Sequence, residues 1–414
     1  MPVQLQSTVS VIDRPPGIAK PIPRRPSIDI YRGMVMFLML AEVLHWSGLW
    51  KYRDKFSETI QNALEWIVYH TSHVEWRGCS LHDMIQPSFS FLVGTSLAFS
   101  FAKRKEQGQS SDWMFFHALL RSLILIFLGI FLRSLGRNQT NFTFDDTLTQ
   151  IGLGYTFLYL FAGRKQLTVA VGALIILAGY WLFFYLYPAP GGDFDYAAVG
   201  VPDTWKHHET GIAAHWNKNS NAASAFDVWW MNLFPREKVF AYSGGGYCTL
   251  SFIPTLATML LGLLAGNWLK SSGSAQTKTI WFAVAIAVCL GSGWALEHYG
   301  LCPIVKRIWT PSWVLWSGGI CFAWLLVLSW ICDDIGWTGW AYPWIVIGAN
   351  SIAAYVMSWT MKEWTQQAIR RHFGFVIDRF IPDYLQPFAM GCFVLIIFWL
   401  ILRWMYRQKI FVRI

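Results

Sequence analysis

The residues best suited to chemistry lie close together: the run His73-Val74-Glu75-Trp76-Arg77-Gly78 and, just after it, His82-Asp83. Imidazole titrates nearest neutral pH of any side chain, so a histidine flanked by acids is the first candidate for moving a proton or taking up an acyl group. Glu75 and Asp83 are near enough in sequence to hold one tautomer of His73. Trp76 offers a ring for a sugar to stack on, or an N–H for a developing oxyanion. Its plainer reading is an interfacial tryptophan, since the chain has 25 of them and this residue type gathers at membrane boundaries. His70 and His82 flank His73 and raise the question of a metal. No matching histidine or carboxylate spacing recurs elsewhere, so none is expected. His207-His208 and His215 read as surface histidines.

Other ionisable residues fall inside apolar runs, where each is a functional candidate because an unpaired charge in a membrane is costly. Glu42 and His45 are three apart and would share one helix face, with Glu42 placed to orient or charge His73. His117 and Arg121 are four apart on another run. Arg121 lies roughly 12 Å from the end of its helix at helical rise, too deep to snorkel easily, and its guanidinium suits a phosphate or carboxylate. The cluster Lys103-Arg104-Lys105 is also phosphate-compatible, although basic clusters beside membrane helices have a simpler cause in the positive-inside bias.

The elements that must position these groups are membrane helices. The chain has 414 residues, 54% hydrophobic and 14% charged, against about 25% charged in soluble domains. Ten apolar runs, at about 31–50, 83–102, 113–135, 147–162, 167–187, 247–269, 279–296, 312–332, 342–361 and 386–405, approach the roughly 20 residues that cross a bilayer. The expected fold is all-α: a polytopic membrane bundle of about ten spans. An N-terminal tail (1–29) precedes one transmembrane domain (30–414), which carries a long polar connection at 188–246 and an amphipathic helix at 362–380. The basic residues are denser in the shorter loops, which places both termini in the cytoplasm and puts His73 and the 188–246 connection outside. The tail lacks the apolar core of a cleaved signal peptide. The net charge of +9 follows the membrane flanks, and no nucleic-acid-binding motif is present. The seven cysteines occur singly; a disulfide among Cys79, Cys248 and Cys302 is left open.

Several blocks, in order, resemble a known family. They are Ile28-Asp29-Ile30-Tyr31-Arg32-Gly33, the His73 block, Asp83-Met84-Ile85-Gln86-Pro87, Phe91-Leu92-Val93-Gly94-Thr95-Ser96, the stretch 249–266, Pro303-Ile304-Val305-Lys306-Arg307-Ile308-Trp309-Thr310, and Ile347-Gly348-Ala349-Asn350-Ser351 through Tyr355. Together they resemble the transmembrane acyltransferases of the heparan-alpha-glucosaminide N-acetyltransferase type and their bacterial homologues with a DUF5009-type domain. Where mammalian members place an asparagine late in the first span, this chain has Glu42-Val43.

The resemblance implies acetyl-CoA as donor, with no metal, and an amino sugar or glycan end across the membrane as acceptor. It implies His73 as the essential histidine. With it go Glu42 as the partner of His73, and Glu75, Trp76, Asp83 and Asn350 around the acceptor and oxyanion. Arg32, Lys103, Arg104, His117 and Arg121 would stand near the CoA phosphates. The expected setting is a bacterial inner membrane, and a homodimer is compatible with such a bundle. An amino-sugar transporter and an O-acetyltransferase of an envelope glycan are the rival readings.

Overall fold

The computed structural model describes residues 25–412, so most of the expected N-terminal tail, together with Arg413 and Ile414, lies outside the described residues. The chain is all-α. Its helices are α1 Pro26–Leu40, α2 Trp46–Trp50, α3 Glu58–His70, α4 Ile85–Glu106, α5 Ser111–Ser134, α6 Thr147–Leu160, α7 Gln166–Leu186, α8 Ala222–Met231, α9 Phe252–Lys270, α10 Ala275–His298, α11 Pro311–Leu328, α12 Tyr342–Ala349, α13 Ser351–Thr360, α14 Lys362–Phe380 and α15 Gln386–Arg407. Their starts obey ordinary capping chemistry. Ser110, Asp146, Ser274 and Thr310 each accept a backbone N–H from the first turn, satisfying donors the helix itself leaves unpaired.

Among the described residues, seven helical stretches are long and apolar enough to cross a membrane: His82–Glu106, Ser111–Ser134, Gln166–Leu186, Thr249–Lys270, Ala275–His298, Pro311–Asp334 and Asp383–Arg407. Each falls on an expected span. The other three expected spans do not form continuous helices of that length. At 31–50, α1 ends at Leu40, a 3-10 turn carries the chain to Leu44, and His45 adopts a left-handed conformation (φ 49°) before α2. Glu42 and His45 therefore do not share a helix face. At 147–162, α6 has 14 residues, about 21 Å at helical rise. At 342–361 the helix breaks at Asn350 into α12 and α13. Non-helical backbone at membrane depth is tolerated where it borders protein or a cavity, and these three broken or short pieces surround the cavities described below.

α9 is buried almost all round and forms the axis of the bundle, whereas α10 and α15 present most of their apolar surface outward. α4 and α9 cross in close contact because Gly94 faces the Met259 carbonyl and Gly262 faces the Phe91 carbonyl, leaving no room for a Cβ at either. α1 and α12 approach in the same way, with Gly33 on the Trp344 carbonyl and Gly348 on the Asp29 carbonyl.

The two ends of the bundle differ. At one, cations cap the carboxyl end of α9: Arg25 Nη2 and Lys278 Nζ donate to the Leu269 carbonyl at 3.1 and 3.2 Å, the sign a helix C-terminus favours, and Lys270 Nζ reaches the Ala98 carbonyl within α4 at 3.2 Å. At the other, the 188–246 connection folds into a cap with a 3-10 helix at Gly211–Trp216 and α8. The cap has its own core, in which Trp76, Trp216 and Val305 are fully buried alongside Trp205 and Phe184. Trp76 is thus a core residue of the cap, closed off from any sugar. The 71–81 loop is tied to the 299–310 loop by the Gly78 N–H on the Ile304 carbonyl (3.0 Å) and by Arg77, which pairs with Val305 along the backbone and with Glu297 and Glu209 through its side chain. All seven cysteines are free thiols, Cys79, Cys248 and Cys302 among them.

Candidate active site

Tying those two loops together brings His73 against a residue more than two hundred positions away. Asp83, in the 3-10 turn His82–Met84 just before α4, is 1% exposed, and its Oδ1 lies 2.7 Å from His73 Nδ1. The same oxygen lies 3.3 Å from Lys306 Nζ, itself buried. The other oxygen, Oδ2, accepts from Val74 N (3.2 Å), Ser80 N (3.2 Å) and Ser80 Oγ (2.9 Å). A carboxylate given this many donors stays ionised. The short contact therefore has His73 donating Nδ1–H to Asp83, which leaves Nε2, with its lone pair, for a substrate.

Lys306 Nζ lies 3.0 Å from His73 Nδ1 as well. Burial is the largest influence on the imidazole and lowers its pKa; Asp83 pulls the other way, and Lys306 and His82 add to the lowering, so the net direction is down from the usual value. Burial likewise holds the Lys306 ammonium below the ordinary lysine range, against the pull of Asp83. A neutral imidazole with a fixed tautomer is the state a general base or nucleophile needs.

A second pair stands beside the first. His82 Nε2 lies 3.2 Å from Glu42 Oε1, and the His73 and His82 rings meet edge-on with centroids 4.3 Å apart. Glu42 therefore partners His82; the group orienting His73 is Asp83. Glu75, the other acid expected at His73, turns outward to His207 at 3.3 Å.

These side chains line a cavity of about 340 Å³, which His73, His82, Glu42 and Lys306 share with Tyr247 and Arg133. A second cavity of about 380 Å³ contains Asp29, Arg32, Ser96 and Arg121. Phe89, Thr147 and Tyr355 line both, so the two lie side by side in the bundle among α1, α4, α6 and α13. Arg32 is held by Asp29 (3.1 Å) and Ser96 (2.7 Å). Arg121 donates to Tyr155 Oη at 3.2 Å, stacks its guanidinium on that ring, and keeps a buried Nε without a partner.

Other expected site residues are placed elsewhere. Lys103 is exposed, Arg104 and His117 bond to each other at 3.2 Å, and none of the three lines the Arg32 cavity. Asn350 is fully buried, donates Nδ2–H to the Ile410 carbonyl (3.0 Å) and accepts the Val412 N–H (3.1 Å). Both ends of its amide are spent on the C-terminal segment, beside the Arg32 cavity and away from His73. Lys306 is the residue that reading the sequence missed. Its signal was there, a lysine inside the 303–310 block, but only the fold shows that it is buried against Asp83.

No family model matches the chain. It is 24% identical over 377 residues to human heparan-alpha-glucosaminide N-acetyltransferase, and 24% identical over 368 residues to the mouse protein of the same name. The first match covers 81% of this chain and 52% of the human protein; the second covers 80% and 52%. The chain thus spans about half the length of the curated relatives it matches. It is distantly similar to these acetyltransferases across four-fifths of its own length, as its motif blocks suggest.

Proposed function

We propose that this chain is a membrane acetyltransferase, carrying the acetyl group of acetyl-CoA through the bundle to the amino group of a glucosamine-type sugar. One observation carries the reading: the cavity lined by His73 and Lys306 shares Phe89, Thr147 and Tyr355 with the cavity lined by Arg32 and Arg121. Arg32 and Arg121 suit the CoA phosphates, since a guanidinium binds phosphate oxygens in pairs. The density of basic residues at that end supports a cytoplasmic setting for it, with His73 facing the opposite compartment. The thin pantetheine arm passes the Phe89–Thr147–Tyr355 wall and delivers the thioester to His73.

His73 Nε2 takes a proton from the acceptor amine as its nitrogen attacks the thioester carbonyl. The N–C bond forms, the C–S bond breaks, and the thiolate of CoA leaves with the proton Nε2 had taken. Asp83 holds the tautomer and stabilises the transient imidazolium, the role an aspartate has beside a catalytic histidine. Glu42, largely exposed beside His82, meets the ammonium or hydroxyls of the incoming sugar.

The test is transfer from radiolabelled acetyl-CoA to a panel of amino sugars by the purified protein in nanodiscs. Label should appear on a glucosamine-type sugar, and His73→Ala should abolish this while expression and melting temperature hold. Near-normal transfer by His73→Ala would remove His73 from the reaction. A transporter would move sugar without acetyl-CoA and would gain no heat stability from it. Product analysis separates N- from O-acetylation.

A further inference from the structure

The cap holds another cavity, which the transfer reaction leaves unused. It has a volume of about 150 Å³ between α8 and the rest of the 188–246 connection, and it shares Tyr247 with the His73 cavity. Asn219, Ser220 and Asp227 line it and are 7%, 8% and 4% exposed. Each has a buried oxygen without a hydrogen-bond partner: Asn219 Oδ1, Ser220 Oγ and Asp227 Oδ1. The rest of two of these side chains is tied down. Asn219 Nδ2 donates to the Val199 and Ser243 carbonyls, both at 2.9 Å, and Asp227 Oδ2 accepts the Thr249 N–H at 2.9 Å. A buried polar atom left unpaired is costly, and three of them around one cavity mark a place that something else fills.

Asn219 Oδ1 and Asp227 Oδ1 are acceptors and the Ser220 hydroxyl can accept or donate, so the missing partner brings donors and has room to accept. Phe194, Phe240 and Tyr242 line the same cavity and offer flat apolar surface. O–H donors set around a C–H face describe a pyranose ring; a bare cation would not use the aromatic wall. We propose that this cavity is a carbohydrate subsite, holding the sugar unit next to the one that is acetylated. The sugar character stands on the cavity alone; its assignment as the neighbouring unit rests on the transfer reaction above. The acceptor is then at least a disaccharide, with its terminal amino sugar at His73 and its second ring beyond Tyr247.

Direct binding to the full chain in nanodiscs, without acetyl-CoA, tests this. The probes are glucosamine and glucosaminyl disaccharides of different linkage. The best disaccharide should bind about tenfold more tightly than glucosamine, the gain from one or two net hydrogen bonds. Ser220→Ala and Asp227→Asn should each bring that advantage to within about threefold, with glucosamine binding unchanged. Ser220 Oγ bonds to nothing in the protein, so its removal leaves the fold intact, and melting temperature checks Asp227→Asn. If no disaccharide outbinds glucosamine, or if the advantage survives both variants, the subsite is overturned. If disaccharide binding depends on Ser220 and Asp227 while no sugar is acetylated, the subsite stands and the acetyltransferase reading falls. If glucosamine is acetylated and no disaccharide has an advantage, the subsite falls and the acetyltransferase reading stands.

Discussion

Asp83 accepts hydrogen bonds from His73, Val74, Ser80 and Lys306, and a carboxylate engaged on both oxygens cannot rotate to release the imidazole. Replacing it with asparagine puts an amide where Nδ1–H must be accepted and favours the wrong tautomer. Asp83→Asn should lower acetyl transfer about 10⁴-fold, the scale seen when an orienting aspartate beside a catalytic histidine is changed. It also strands a buried ammonium, at a cost of about 3–5 kcal/mol, so the melting temperature should fall with the rate; a drop in melting temperature alone would reduce Asp83 to a structural role. Lys306 yields a different signature. The base must be neutral to act, so kcat/KM rises with pH through the His73 pKa. Since that pKa is lowered, the midpoint should lie below the usual imidazole value of about 6.5. Lys306→Met removes a positive charge 3.0 Å from Nδ1, which makes the imidazolium easier to form and should move the acid limb to higher pH. A limb that stays put or moves down in Lys306→Met would mean that Lys306 does not tune His73.

At the scale of elements, the seven long spans were legible because hydropathy reports composition, and composition alone decides them. Continuity is another matter. The break at Asn350 is held by Ile410 and Val412, sixty residues away, and no local window contains that information. Trp76 reads as a sugar platform from its neighbours, yet Trp205 and Trp216 of the distant cap bury it. His73 and Asp83 sit ten residues apart and could be paired by inspection; Lys306 could not, because only the tie between two loops brings it there. Gly33 was legible as part of a motif, and the structure gives the reason for it: α12 presses its Trp344 carbonyl where a Cβ would stand. Gly33→Ala should therefore separate α1 from α12, destabilise the protein by about 1–3 kcal/mol and displace the neighbouring Arg32. Gly179 in α7 has open space around it, and Gly179→Ala should leave the melting temperature unchanged or raise it slightly, as expected for alanine in a helix. Equal effects of the two substitutions, read by thermal unfolding in detergent, would show that the α1–α12 contact does not limit stability.

For the molecule as a whole, the proposed reaction needs a donor site and an acceptor site joined by a passage that admits a slender acyl chain. Phe89, Thr147 and Tyr355 line both cavities, and the proposed route for the acyl chain runs past them. Thr147 opens α6, the shortest of the expected spans, so a larger side chain there fills the passage from the wall without entering either terminal site. Thr147→Trp should separate two properties the native protein combines. Acetyl-CoA should still raise the melting temperature, because Arg32 and Arg121 remain in place to bind the phosphates, and the amino sugar should still bind beside His73. Transfer should fall at least about 100-fold, since reacting groups held even a short distance out of register lose that much. Near-normal transfer by Thr147→Trp would place the acyl route elsewhere in the bundle. Loss of acetyl-CoA stabilisation together with transfer would mean that the two cavities act as one site. Retained binding at both ends with transfer lost is the pattern that a passage joining two separate sites requires.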